Sequence, residues 1–179
     1  MKPQKSSVSD EWINLSDVDI SAIADPEDKI AECQFFLSLA SSEKDVQRFR
    51  WLISAFLGAA YSFFEISALS AYYRFSDHET GEPIEDAQSL EVLRRYVKVD
   101  RDAKRPRYVK TAGHHSITKQ LYEIRKSNTH HVPMSIMSTG QLLPEDFHFG
   151  YLMGQGIPAL AFCRQAMKLI RQVNEELQE

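Results

Sequence analysis

The sequence predicts an all-α fold, an up-and-down helical bundle of about five helices with a long central helix. The first observation behind this is the stretch from about Glu43 to Phe75. There Phe49, Leu52, Ile53, Phe56, Ala60, Phe63, Phe64 and Ala68 recur at i, i+3 and i+4. The second is that four shorter segments repeat the same helical period, several behind a capping residue or a proline. The third is bulk composition. A chain of 179 residues, 43% hydrophobic and 26% charged, suffices for one domain with a sizeable core. Its formal net charge of −4 excludes a generic polyanion binder as a whole molecule.

Residues 1–25 are polar and acidic without a sustained period, and read as a flexible N-terminal segment ahead of a helical bundle domain over 26–179. The first helix is expected to start at Asp25-Pro26-Glu27-Asp28, where a cap precedes proline and acidic groups meet the positive end of the helix dipole. Ile30, Cys33, Phe36, Leu37 and Ala40 make its inner face. Ser42 is a suitable N-cap for the long second helix. Leu57, Tyr61, Leu69, Tyr72 and Tyr73 widen the apolar stripe of that helix to most of its circumference, so several neighbours or a second chain must wrap it. Ser54, Gly58 and Ser62 form a small-residue ridge where another helix could approach. Glu65 and four serines argue against a membrane span.

A third helix is expected over Ala87–Val97, a fourth over Ser116 to about Asn128, and a fifth from Ile157-Pro158 to about Glu176. Irregular insertions are expected around 98–114 and 132–156. Within the former, Val97/Val99 and Tyr108/Val109 fit either short strands or a loop. Cys33 and Cys163 lie on apolar helical faces without metal-ligand spacing, and read as buried free thiols. The N-terminus lacks the apolar stretch of a signal peptide, so the expected location is cytoplasmic. No metal or cofactor is called for.

Chemistry concentrates between Arg94 and Lys110. Arg94, Arg95, Lys98, Arg101, Lys104, Arg105, Arg107 and Lys110 face only Asp100 and Asp102 in that span, with Tyr96 and Tyr108 interleaved. Clustered cations release counterions from a phosphate backbone, and aromatic rings stack on bases, so this is a candidate nucleic-acid interface. The competing reading is a solvated loop that offsets the acidic N-terminus. His114-His115 and His130-His131 stand at opposite ends of the fourth helix, on the order of 20 Å apart, too far to share a metal within one chain.

The segment Arg125-Lys126-Ser127-Asn128-Thr129-His130 places an arginine on the last turn of the expected helix and a histidine just beyond. A histidine near its ordinary pKa can move the protons of metal-independent RNA cleavage. An arginine can bind the scissile phosphate bidentately, and Asn128 can orient it. LYEIRKSNTHH thereby resembles the R-x(4–6)-H signature of the HEPN family, with Arg125 paired to His130 or, one residue on, His131. That resemblance implies a helical bundle, an endoribonuclease or RNA-binding activity of the toxin–antitoxin, defence or RNA-processing type, and a homodimer whose Arg-His pairs meet in a composite site. It also implies RNA, and an antitoxin or regulator, as partners. Lys126 stands where the family often has Asn or Asp.

Glu65 is costly to bury unless paired. It is expected either in a salt bridge to an arginine of a neighbouring helix or as an acid facing Arg125. His114 and His115 are supporting candidates. The alternative to an RNA-directed protein is a non-catalytic helical module that binds a protein partner and bears an exposed apolar patch.

Overall fold

The computed structural model describes residues 25–101, 109–130, 134–138, 140, 144–150 and 156–179, with backbone alone at 110–112 and 127–130. Among these residues the chain forms five helices and seven short strands. Helix α1 is Pro26–Ala40, and its cap Asp25 accepts the Glu27 N–H at 2.8 Å, as the Asp-Pro start predicts. Helix α2 is Val46–Tyr73 and starts later than expected. Asp45, not Ser42, is its cap, accepting the Arg48 N–H at 2.8 Å. The Ser42 hydroxyl instead donates to the Leu39 carbonyl at 3.2 Å and closes α1. Glu43 accepts the N–H groups of Lys44 and Asp45, both at 2.9 Å, so the link between the helices is a self-satisfied turn.

The remaining helices are α3 (Ala87–Arg94), α4 (Ser116–His130) and α5 (Ala159–Gln178). Between them lie β1 (Phe75–Ser76), β2 (Pro83–Ile84), β3 (Val97–Val99), β4 (Val109–Ala112), β5 (Ile136–Ser138), β6 (Phe147–Phe149) and β7 (Ile157–Pro158). All pair antiparallel, as β1-β2, β3-β4 and β5-β6-β7.

The expectation of an all-α bundle is therefore corrected: the fold is helix-dominated but mixed, and the two stretches expected as irregular insertions carry sheets. Val97 and Val99 are buried around an exposed Lys98, and buried Phe147 and Phe149 flank a half-buried His148. This is the two-residue period of a strand, but three residues are too few for a sequence window to register it. The same strands shorten the flanking helices. α3 ends at Arg94, because Val97 enters the β3-β4 hairpin, and Ile157-Pro158 pairs with β6 before α5 begins.

Helix α2 is the centre of the core. Phe49, Ile53, Phe56, Leu57, Phe63 and Phe64 are at most 1% exposed, and α1 and α5 pack on it with Cys33, Leu37, Phe162, Cys163 and Ile170. Phe147 of β6 also reaches α2, its ring centroid 4.4 Å from that of Phe49. By length and composition α2 would also pass for a membrane-crossing helix, and half of its most apolar window is buried inside the domain. The coat is not fully covered, since Trp51 remains 57% exposed. At Gly58, on the small-residue ridge, an added Cβ would meet nothing within 4 Å among the described residues. Both cysteines are free and buried, and burial pushes the Cys33 thiol up to about 12.

Candidate functional site

The β3-β4 hairpin and the start of α4 are held together by backbone contacts that only glycine permits. The Gly113 N–H donates to the Tyr96 carbonyl at 3.2 Å, and a Cβ at Gly113 would stand 2.7 Å from that same oxygen. Buried Thr118 donates its hydroxyl to the Tyr96 carbonyl at 2.7 Å, with the His115 carbonyl also in reach at 3.0 Å. Side chains from α3, β3 and the first turns of α4 then surround one cleft of about 760 Å³. Among the described residues Arg94, Lys98 and Lys119 line it as cations with Glu123 as the single carboxylate, and His114 and Tyr122 complete its polar wall.

Behind the cleft a second cluster joins α2, β4 and α4. The Tyr61 hydroxyl lies 2.9 Å from Glu65 Oε1 and 3.0 Å from the Val109 carbonyl, its one proton shared between these acceptors. The Val109 N–H donates to the other Glu65 oxygen at 3.2 Å. The Arg125 guanidinium lies over the Tyr61 ring, 3.9 Å from its centroid, and the Tyr122 ring stands 6.5 Å from the same ring. Burial raises the Tyr61 pKa, the bonded Glu65 carboxylate raises it further, and Arg125 offsets part of the rise. Glu65 and Arg125 thus both contact Tyr61, one at its hydroxyl and the other over its ring. Their role here is to pin the hairpin against α2.

The basic stretch divides among three places. Arg94 and Lys98 enter the cleft. Arg95 pairs with Glu176 of α5 at 3.1 Å, beside the Tyr96 hydroxyl, which donates to Glu176 at 2.7 Å. Hydrogen bonds from Gln172 and Tyr96, with Arg95 adjacent, hold the Glu176 carboxyl below its usual range. Arg101 lies over the Tyr73 ring, 5.2 Å from its centroid. Lys110 is in β4, and Lys104, Arg105, Arg107 and His131 lie outside the described residues, as does the N-terminal segment through residue 24. His115 packs half-buried with its ring 5.5 Å from that of Tyr96, whereas His114 is exposed in the cleft.

The expected place of Arg125 on the last turn of the fourth helix needs correction, whereas its pairing with His130 or His131 involves side chains outside the described residues. α4 continues through Asn128 to His130, so Arg125 is not in its last turn. Two helical positions five residues apart lie about 140° apart around the axis and about 7.5 Å along it. Charge and motif do not single out Lys119, Tyr122 and Glu123 in the sequence, although their i, i+3, i+4 spacing on α4 is itself a face signal. Among the described residues no group of three or more His, Cys, Asp or Glu could hold a metal.

No protein-family model matches this chain, and no curated protein or solved structure is significantly similar to it. The site's own chemistry therefore carries the functional reading.

Proposed function

We propose that this chain is an RNA-binding protein of HEPN-like type, which holds a phosphate backbone in the cleft between the β3-β4 hairpin and α4. The observation that carries the reading is the gathering of Arg94, Lys98 and Lys119 from three elements around one cleft, with Tyr122 on its wall. Cations fixed on different elements meet successive phosphates, and an aromatic ring offers a base a stacking face. His114 adds an exposed imidazole that can hydrogen-bond a phosphate oxygen. Support for the catalytic form, with Arg125 on the scissile phosphate and His130 or His131 moving the proton, is confined to the sequence pattern. It requires Arg125 to leave the Tyr61 ring, at a cost of about 0.5–2 kcal/mol.

The test is fluorescence anisotropy of a labelled single-stranded RNA against the full chain at several salt concentrations. Lys98→Glu with Lys119→Glu should weaken binding about tenfold or more and flatten the salt dependence by about one phosphate contact per lysine removed. Binding that is absent at low salt, or indifferent to both substitutions, would refute the proposal.

A further inference from the structure

The groove between α1 and α5, on which nothing above draws, has its own charge pattern. Its larger part, about 750 Å³, has a floor of Leu37 and Met167 and a wall of Arg164, Lys168 and Arg171. A second depression of about 380 Å³ shares Gln34, Arg171 and Glu175 with it and continues along α1 to Glu27. The three cations follow one another at i, i+4 and i+7 on α5 and are exposed. Arg171 is set in place by its Nη2, which donates to Gln34 Oε1 at 2.8 Å. Among the described residues none of the three has a carboxylate at ion-pairing distance, although the chain as a whole is acidic.

We infer that this groove docks an acidic amphipathic helical segment of a protein partner. Two packed helices with an apolar floor present the geometry in which a third helix lays its apolar face. The row of Arg164, Lys168 and Arg171 requires carboxylates on that helix at matching one-turn intervals. Phe35, 59% exposed, and Leu39, 43% exposed, each follow a groove residue of α1 (Gln34 and Ser38) and lie about 100° further round that helix. They extend the apolar contact beyond the rim. A nucleic acid fits less well: among the described residues no aromatic side chain lines the groove, whose lining includes Glu175 and, at its far end, Glu27.

The experiment uses the full chain and two labelled helical peptides of about 18 residues. Both carry leucines at i, i+3, i+4 and i+7; one has glutamates on its polar face, the other lysines at the same positions. The acidic peptide should bind at least about tenfold more tightly than the basic one. R164E/K168E/R171E should lose about tenfold in affinity for it, in line with the loss of several solvent-exposed ion pairs. Lys119→Glu, in the other cleft, should leave peptide binding unchanged. Circular dichroism checks the fold of each variant, and R164Q/K168Q gives a milder version of the same loss. Equal binding of the two peptides, no binding of the acidic one, or a charge-reversal variant that weakens RNA binding while sparing the peptide would each overturn the inference.

Discussion

Around Phe56, α2 is held by contact with apolar side chains of α1, α5 and β6, whereas about one to three turns later, at Tyr61 and Glu65, it is held by directional polar bonds to β4 and α4. In the first region Phe49, Ile53 and Phe56 are fully buried, and the attraction scales with the area removed from water. In the second, one hydroxyl and one carboxylate satisfy both backbone groups of Val109, and a guanidinium covers the ring between them. The first region stabilises the whole domain and says nothing about where a ligand sits. The second fixes the β3-β4 hairpin on α2, and with it one wall of the cationic cleft. Stability and site geometry are therefore separable along a single helix.

The largest expected effect comes from cutting into the apolar region. Phe56→Ala removes a fully buried ring from the hydrophobic core. It should cost about 3–5 kcal/mol in urea denaturation. RNA affinity per folded molecule should stay within about a factor of two, since Phe56 is not among the residues that line the cleft. A large loss of affinity in molecules that remain folded would show that the two regions are coupled after all.

Tyr61→Phe tests the polar region with a smaller effect on stability. It keeps the ring under Arg125 and deletes only the hydroxyl between Glu65 and the Val109 carbonyl. The expected cost is about 1–2 kcal/mol, because a half-buried carboxylate loses a donor. Since the deleted bond is one of those tying β4 to α2, RNA affinity should fall several-fold as well. The ratio of the two effects is the sharp quantity: Phe56→Ala should move stability without affinity, and Tyr61→Phe should move both.

The same division explains which parts of the molecule are legible in the sequence. Helices α1 and α2 and the inner face of α5 follow from a 3.6-residue period and from Asp25 before Pro26, both local signals. The strands are not legible as such, because Val97–Val99 and Phe147–Phe149 are too short to establish a period and depend on partners eight to fifteen residues away. The site is legible only in part. Arg94 and Lys98 stand out as charge, but their convergence with Lys119 depends on the close approach of Gly113 to Tyr96, which no spacing encodes. Arg95, equally basic, is drawn off by Glu176, eighty-one residues later. Arg125 stands out in the sequence for its distance to a histidine; its geometry comes instead from Tyr61 on another helix.

The smallest expected effect has the opposite sign and addresses the third face of α2. Gly58 sits mid-helix, half-buried, and a methyl group added at its Cα would meet nothing within 4 Å. Glycine there is less favourable than alanine by about 0.5–1 kcal/mol, because it gives the unfolded chain more freedom to lose. Gly58→Ala should therefore stabilise the protein by that amount in denaturant titrations, independently of protein concentration. The homodimer implied by the family resemblance supplies the contrary outcome. If a second chain seats itself against Ser54, Gly58 and Ser62, the added methyl group would meet its backbone, and the same substitution would destabilise the protein in a concentration-dependent way. A change of one methyl group thus distinguishes an open ridge from an occupied one, on a helix whose other two faces are already assigned to the core and to the site.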